Sequence, residues 1–470
     1  MLSTFKAPTQ INTLYFVAVT LLLIGSCTQQ TINMALVEDN ADFDAANGII
    51  DSETPPHTDL AAQYKRSFAY YTFRVRLPST LATIADSLAN KDELLPTYGA
   101  DAASDIDQTA AAVLELRSNI LKNGPLEPFN DTEADVATWN AFLDKLDKDK
   151  RTYFSACWLY AECYMYRKLW SIFSLSRLAG FDYFRKQKQT AAQLSLDAMV
   201  AVANATRRSE RNLSTFQQLL KLNLWGNRCD LSITSGKQVK PMGDAFDQVA
   251  ELDSNLLVDG TQAIWQSLVS ADGNGTVEIV FDNAGYELYT DLILAEYIID
   301  KGLAQKVRFN AKAIPWFISD VRADDFHWIL KFLSGQASPV LSELGKKLKR
   351  FVDEGKFELA PLEHFWTSPY EFYRMAEVQP ALHERLSQAQ LIIFKGDLNY
   401  RKLLGDYSWH DTESFVTCLR GFQPSNLCTL RTIKADLVCG LPAGISEQLF
   451  AKNKEWMLTG EYGLIQFASK

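Results

Sequence analysis

A chain of 470 residues has room for two or three domains, and 47% hydrophobic with 22% charged residues is the composition of a globular protein that buries a core. The formal net charge of −10 argues against a nucleic-acid-binding surface, so basic residues that cluster against this background carry information. Seven cysteines form no CxxC pair and five histidines no HxH or HExxH spacing, which disfavours zinc ribbons, thioredoxin-type sites and histidine-built zinc sites. The thiols read as reduced and buried, and any metal as held by oxygen.

Residues 1–33 form an apolar leader. The run 14–25 is interrupted only by Thr20, follows Lys6 and leads into Ser26 and Cys27. It resembles a secretory signal, and residues 24–27 resemble a lipoprotein cleavage box. The run is too short for a comfortable membrane span, and Met34 offers a second start. An export or lipid-anchoring signal and an unused extension both stay open, with a membrane partner only under the first. The reduced thiols favour the cytoplasm. Residues 34–60, acidic and carrying Pro55 and Pro56, read as a disordered tail.

Residues 61–255 read as a helical domain. Glycine is sparse, and Val113, Leu116 and Ile120, then Trp139, Phe142 and Leu146, recur at helical spacing. The aromatic stretch 151–173 predicts a buried helix, in which Glu162 and Arg167 pair with each other or reach a ligand. LWGNRCDLS, with Gly226, Asn227 and Asp230, reads as a helix C-cap or as a polar loop leaning over a site. Residues 233–245 read as a flexible loop.

Residues 256–470 read as an α/β domain. A strand through Val277, Ile279, Val280 and Phe281 stops in Asp282, Asn283, Ala284 and Gly285 before a helix restarts at Glu287. The pattern recurs at 307–309, at 314–320 (which closes on Asp320), at 391–394 running into Lys395 to Lys402, and at 428–434. Strands alternating with helix-length connections predict a mostly parallel sheet with these polar groups along its carboxyl edge. Asp282, Asn283 and Asp320 suit Mg²⁺ or Mn²⁺, while Lys395, Arg401 and Lys434 suit phosphate oxygens. Metal and basic clamp together point to phosphoryl chemistry.

The segments FDNAGYELYTDLILAEYII, IPWFISD, LIIFKGDLNYRKL and LRTIKAD, with LWGNRCDLS and WLYAECYMYR, resemble the metal-dependent damage-control phosphatases of subfamily III, whose hallmark is matched by Arg431-Thr432-Ile433-Lys434. The resemblance runs from about Ser67 to the C-terminus. It implies an all-helical N-terminal domain followed by a Rossmann-like α/β/α domain. It also implies a divalent cation at Asp282, Asn283 and Asp320, usually manganese or another of nickel, cobalt and magnesium. Asp282, Asn283, Glu287, Asp397, Leu398, Asn399, Tyr400, Arg401 and Lys434 would line the substrate site. The implied activity is hydrolysis of sugar phosphates such as fructose 1-phosphate and fructose 6-phosphate, in metabolite damage control.

The same family is also described as an S-adenosylmethionine-dependent protein-glutamate O-methyltransferase, with Glu287 and Asp320 at the methyl donor. The residues argue against that account. Gly273 and Gly275 precede the strand and only Gly285 follows it, whereas nucleotide-binding sheets place a glycine-rich loop after the strand. A non-catalytic sugar-phosphate sensor stays open as well, since binding and turnover could use the same cleft, although losing turnover while keeping binding would require losing a metal ligand, and none is lost.

Overall fold

The computed structural model describes residues 40–207, 209–234 and 245–470. The apolar leader, the first residues of the acidic segment and most of the 233–245 loop lie outside the described residues. From Ala41 onward the acidic segment is not a disordered tail. Ala41–Ala46 is helical, capped by Asn40, and its Asp44 accepts from Tyr70 Oη and Lys65 Nζ, each at 2.7 Å. Phe43 and Ile49 pack on the body of the protein and Leu60 is buried. The segment's acidity hides enough apolar surface and ion pairing to hold it down.

Seven strands form one sheet in the order β1-β7-β6-β5-β2-β3-β4: β1 (Leu256–Asp259), β2 (Thr276–Val280), β3 (Lys306–Asn310), β4 (Phe357–Leu359), β5 (Leu391–Lys395), β6 (Leu427–Thr432) and β7 (Gly463–Ala468). Five of them, from β6 to β4, run parallel. β7 is antiparallel to β6, and β1 is parallel to β7. From β2 the chain proceeds outward to β3 and β4, then returns to place β5 against the other side of β2. The order therefore reverses between β2 and β5, and the crevice beyond their carboxyl ends is where open α/β sheets bind ligands.

Side chains alternate across the sheet with period 2. Val277 and Ile279 of β2 and Leu391 and Ile393 of β5 face one core, while Val280, Ile392 and Phe394 face the other. The helical half of the chain serves both faces, and its burial does not divide at residue 255. Segments between Leu60 and Phe184, including the fully buried helix face of Trp158–Ser174, pack on one side. Residues between Ala192 and Trp225 join Tyr286–Asp300 and Ala323–Ser334 on the other.

LWGNRCDLS is neither a C-cap nor a loop, because the helix Leu213–Thr234 runs through it. A Cβ at Gly226 would lie 2.9 Å from Thr290 Oγ1 and 3.5 Å from Glu287 Cα. That glycine is thus the seat on which two helices touch, and it brings Leu213–Thr234 against the helix that follows β2. The side chains of Asn227 and Asp230 lie outside the described residues. Among the described residues no helix is long and apolar enough to cross a membrane.

Candidate active site at the switch point of the sheet

The crevice is set by two strand ends that touch. β5 ends in Lys395, and Gly396 follows with φ +82°; a Cβ there would fall 1.9 Å from Asp282 Oδ2. Only glycine accepts both that backbone angle and that approach. Asp282 is consequently wedged between β2 and β5 and is 8% exposed.

The third wall is the loop after β3. Lys312 N–H donates to Val321 O (2.8 Å), Val321 N–H to Asp282 O (2.9 Å) and Ala284 N–H to Ser319 O (2.7 Å), which fixes Asp320 beside Asn283. The turn between these bonds carries Phe317 at φ +43° and Ile318 at φ +71°. A left-handed β-branched residue is strained by about 1–3 kcal/mol. Stacking of Phe317 on Tyr166 from the helical layer, with centroids 4.6 Å apart, helps hold it.

Behind these groups lies a buried polar chain. Asn283 Nδ2 donates to Asp282 Oδ2 and Glu287 Oε2, both at 2.7 Å, and its Oδ1 accepts from Ser319 Oγ at 2.5 Å. Lys395 Nζ donates to Glu287 Oε1 and Asp291 Oδ1, both at 2.9 Å, and Asn223 Nδ2 donates to the same Asp291 oxygen at 2.6 Å. Lys312 Nζ donates to Phe281 O at 2.7 Å and lies 3.3 Å from Asp320 Oδ2.

The electrostatics are those of an acidic site short of positive charge. Burial, then Glu287 and Asp320, push the Asp282 carboxyl well above the usual range, against the pull of Lys312 and Lys434. Burial raises Asp320 to about 6 despite Lys312, and raises Asp291 to about 6 despite Lys395. Burial would lower Lys395, but Asp291 and Glu287 outweigh it and hold the ammonium strongly protonated.

These residues fit a hard divalent cation. Asp320 lies close enough to Asp282 to raise its carboxyl, Asp320 Oδ2 is buried and faces the Lys312 ammonium at 3.3 Å, and the Asn283 amide oxygen, which accepts from Ser319 Oγ, keeps a second lone pair. Among the described residues no group of three or more His, Cys, Asp or Glu side chains forms a metal cluster.

Not every residue predicted from the sequence reaches this crevice. Asp397 does, at the start of the helix Gly396–Leu404, accepting from Arg431 Nε (2.8 Å) and Lys434 N–H (3.2 Å). Asn399 is buried and latches β5 to β2, with Nδ2 on Lys395 O (2.7 Å) and Phe281 O (3.1 Å). Lys434, past the end of β6, is half-buried and makes no ion pair among the described residues, and its charge is felt at Asp282.

Leu398, Tyr400 and Arg401 are placed in the core. Tyr400 Oη lies 3.4 Å from Cys439 Sγ. Arg401 is 2% exposed and donates to both oxygens of Asp406 (2.8 and 2.6 Å) and to Glu162 Oε2 (2.6 Å). A helix that starts at the crevice recedes from it by about 1.5 Å per residue, which removes Tyr400 and Arg401 from the edge. Lys395 is likewise enclosed by its carboxylates and is no phosphate clamp. Glu162 and Arg167 are both paired, but not with each other: Glu162 holds Arg401 and Arg76, while Arg167 holds Asp131 and Asp135.

Sequence reasoning missed Lys312, Ser319, Asp291 and Tyr166. Lys312 carried a signal, a lone cation two residues past a strand end; the other three are visible only once the loop and the helices are in place.

Fold and crevice together present a mostly parallel α/β sheet whose carboxyl edge gathers buried carboxylates, with a lysine nearby that makes no ion pair among the described residues. Residues 72–449 match the damage-control phosphatase ARMT1-like domain. The chain is 36% identical over 438 residues to damage-control phosphatase ARMT1 of Danio rerio, covering 88% of this chain and 97% of that protein. It is 34% identical over 438 residues to the Xenopus tropicalis protein of the same name (88% and 99%), and 33% identical over 431 residues to the Homo sapiens one (87% and 98%). The chain belongs to the damage-control phosphatase ARMT1-like family, and it is a phosphatase.

Proposed function

We propose that the protein hydrolyses small sugar phosphates, with fructose 1-phosphate and fructose 6-phosphate as its substrate class, in a reaction that depends on a divalent cation. The observation that carries this reading is the pair of buried carboxylates Asp282 and Asp320, both raised by burial, with Lys312 Nζ 3.3 Å from Asp320 Oδ2 and with Lys434, which makes no ion pair among the described residues, acting on Asp282.

Asp282, Asn283 and Asp320 would hold the cation, which when bound supplies Lewis-acid polarisation of a phosphoryl oxygen. Asn283 is locked in one orientation by three side-chain bonds, its Nδ2 on Asp282 and Glu287 and its Oδ1 on Ser319 Oγ, so the remaining lone pair of Oδ1 would be its ligand to the cation. Lys434 pairs with phosphoryl oxygens and offsets charge as it grows in the transition state. Asp397, held by Arg431, accepts hydrogen bonds from sugar hydroxyls. The same charges disfavour S-adenosylmethionine as the ligand, because the Lys434 ammonium would repel a sulfonium.

The test is phosphate release from fructose 1-phosphate and fructose 6-phosphate, after EDTA and after Mn²⁺, alongside Asp320→Ala. Metal-dependent release that the variant lacks is expected. A folded, metal-loaded protein that releases no phosphate across a panel of sugar phosphates would refute the reading, and methyl transfer would then be assayed.

A further inference from the structure

The ion network that absorbs Arg401 does not end in the core. Arg401 grips Asp406 through two bonds and Glu162 through one, and the other oxygen of Glu162 is held by Arg76 NH2. Asp406, Glu162 and Arg401 are at most 3% exposed in their side chains, whereas Arg76 is 37% exposed. Its Nε and NH1 make no hydrogen bond among the described residues. Arg76 closes the π-helical turn Thr72–Arg76, set between Phe68–Tyr71 and Leu77–Leu88. Such a turn re-aims the side chains that follow it and recurs at functional sites.

Arg76 is linked through its neighbours to both loops that carry the crevice's outer residues. On one side its guanidinium lies 5.4 Å from the ring centroid of Phe68, whose N–H donates to Asp436 Oδ2 at 3.0 Å, two residues after Lys434. On the other side, Tyr166 lies one helical turn beyond Glu162 and stacks on Phe317, three residues before Asp320. The charges of Arg76 and Asp320 both reach the Tyr166 hydroxyl. A buried ion network adds little stability over well-packed apolar residues. What this one provides is a half-exposed guanidinium held by Glu162 with Nε and NH1 left over, a fork suited to planar recognition of phosphate oxygens.

We infer that Arg76 is a substrate-binding residue whose guanidinium pairs with the phosphoryl oxygens of the substrate across the crevice from Lys434, with Arg401 and Glu162 as the residues that position it. The inference rests on the phosphatase reading above. It also gives Arg401 a role in the reaction without contact to the substrate.

The experiment compares the Mn²⁺-loaded full chain with Arg76→Gln and Arg76→Lys, reading the KM for fructose 1-phosphate, the inhibition constant of inorganic phosphate, Mn²⁺ affinity and Tm. Arg76→Gln leaves Glu162 paired with Arg401. Both the KM and the phosphate inhibition constant are expected to rise by roughly tenfold, the loss of one charge-assisted contact, with Mn²⁺ affinity and Tm unchanged. Arg76→Lys should recover part of each.

Unchanged constants in folded Arg76→Gln overturn the inference. So does a raised KM with an unchanged phosphate constant, which would move Arg76 to the sugar, and so does a parallel loss of Mn²⁺ affinity, which would make it structural. If Arg76→Gln does not fold, Arg76→Lys decides, with an unchanged phosphate constant as the refuting result. If the wild type hydrolyses no sugar phosphate, the phosphatase reading fails separately, and calorimetric binding of inorganic phosphate to the wild type and variants still decides the role of Arg76.

Discussion

Substituting alanine for Gly396 tests the claim that the contact of two strand ends builds the active site. The new Cβ would fall 1.9 Å from Asp282 Oδ2 and 2.1 Å from its Cγ, so the carboxylate must move. Two terms add. Holding an L-residue at φ +82° costs about 1–2 kcal/mol. Forcing a methyl group into a filled site costs about 1–3 kcal/mol more. A destabilisation of about 2–5 kcal/mol is expected by denaturant titration of the metal-free protein.

Displacing the carboxylate by about 1 Å should lower kcat roughly 100-fold and weaken Mn²⁺ binding. The two terms separate in a double-mutant cycle with Asp282→Ala. Removing the carboxylate abolishes the crowding and leaves only the backbone strain, so Gly396→Ala should destabilise the Asp282→Ala background by about 1–2 kcal/mol. Equal destabilisation in both backgrounds, or wild-type Mn²⁺ affinity in Gly396→Ala, would refute the reasoning.

Other outcomes follow from the same geometry. Asp320 and Asp291 titrate near 6 in the folded chain, above their unfolded value, so each favours folding below about pH 4 and that contribution is lost as pH rises through 6. Denaturation in EDTA should therefore show stability falling by up to about 3 kcal/mol per group between pH 4 and pH 7. Mn²⁺ should reverse part of this drop and Asp291→Asn should flatten it; a pH-independent apo stability would contradict the assignment. Arg401→Ala strands Asp406 in the core and should lose about 3–5 kcal/mol of stability; a fully stable variant with only a raised KM would return Arg401 to the substrate. Lys434→Ala should raise the KM for the sugar phosphate with Tm unchanged, and an unchanged KM removes it from the phosphate. Asp282→Ala should abolish phosphate release while far-UV circular dichroism stays native.

Much of the site was legible because strand and helix periods are local. The run ending at Phe281, the polar turn 282–285 and the run 391–394 each declare a strand end, and β2, β3, β5 and β6 all stand where the pattern put them. β1, β4 and β7 escaped, the first two with only four and three residues each, too short to show an alternation. Arg401 and Lys395 were misread for a different reason. A charged residue looks the same in sequence whether its partner is a ligand or a carboxylate more than a hundred positions away, as Glu162 is to Arg401 and Asp291 is to Lys395.

The sequence alone therefore determined the residue types at the carboxyl edge and the parallel sheet that gathers them, since these depend on period and turn chemistry. Tertiary structure alone decided which charges are free. The Glu162, Asp406 and Asp291 carboxylates take up Arg401 and Lys395 in the core, while Lys434 makes no ion pair among the described residues and Arg76 stays half-exposed beyond Glu162. A cation's availability depends on what lies within a few ångströms of it, and the folded chain sets that neighbourhood through contacts remote in sequence.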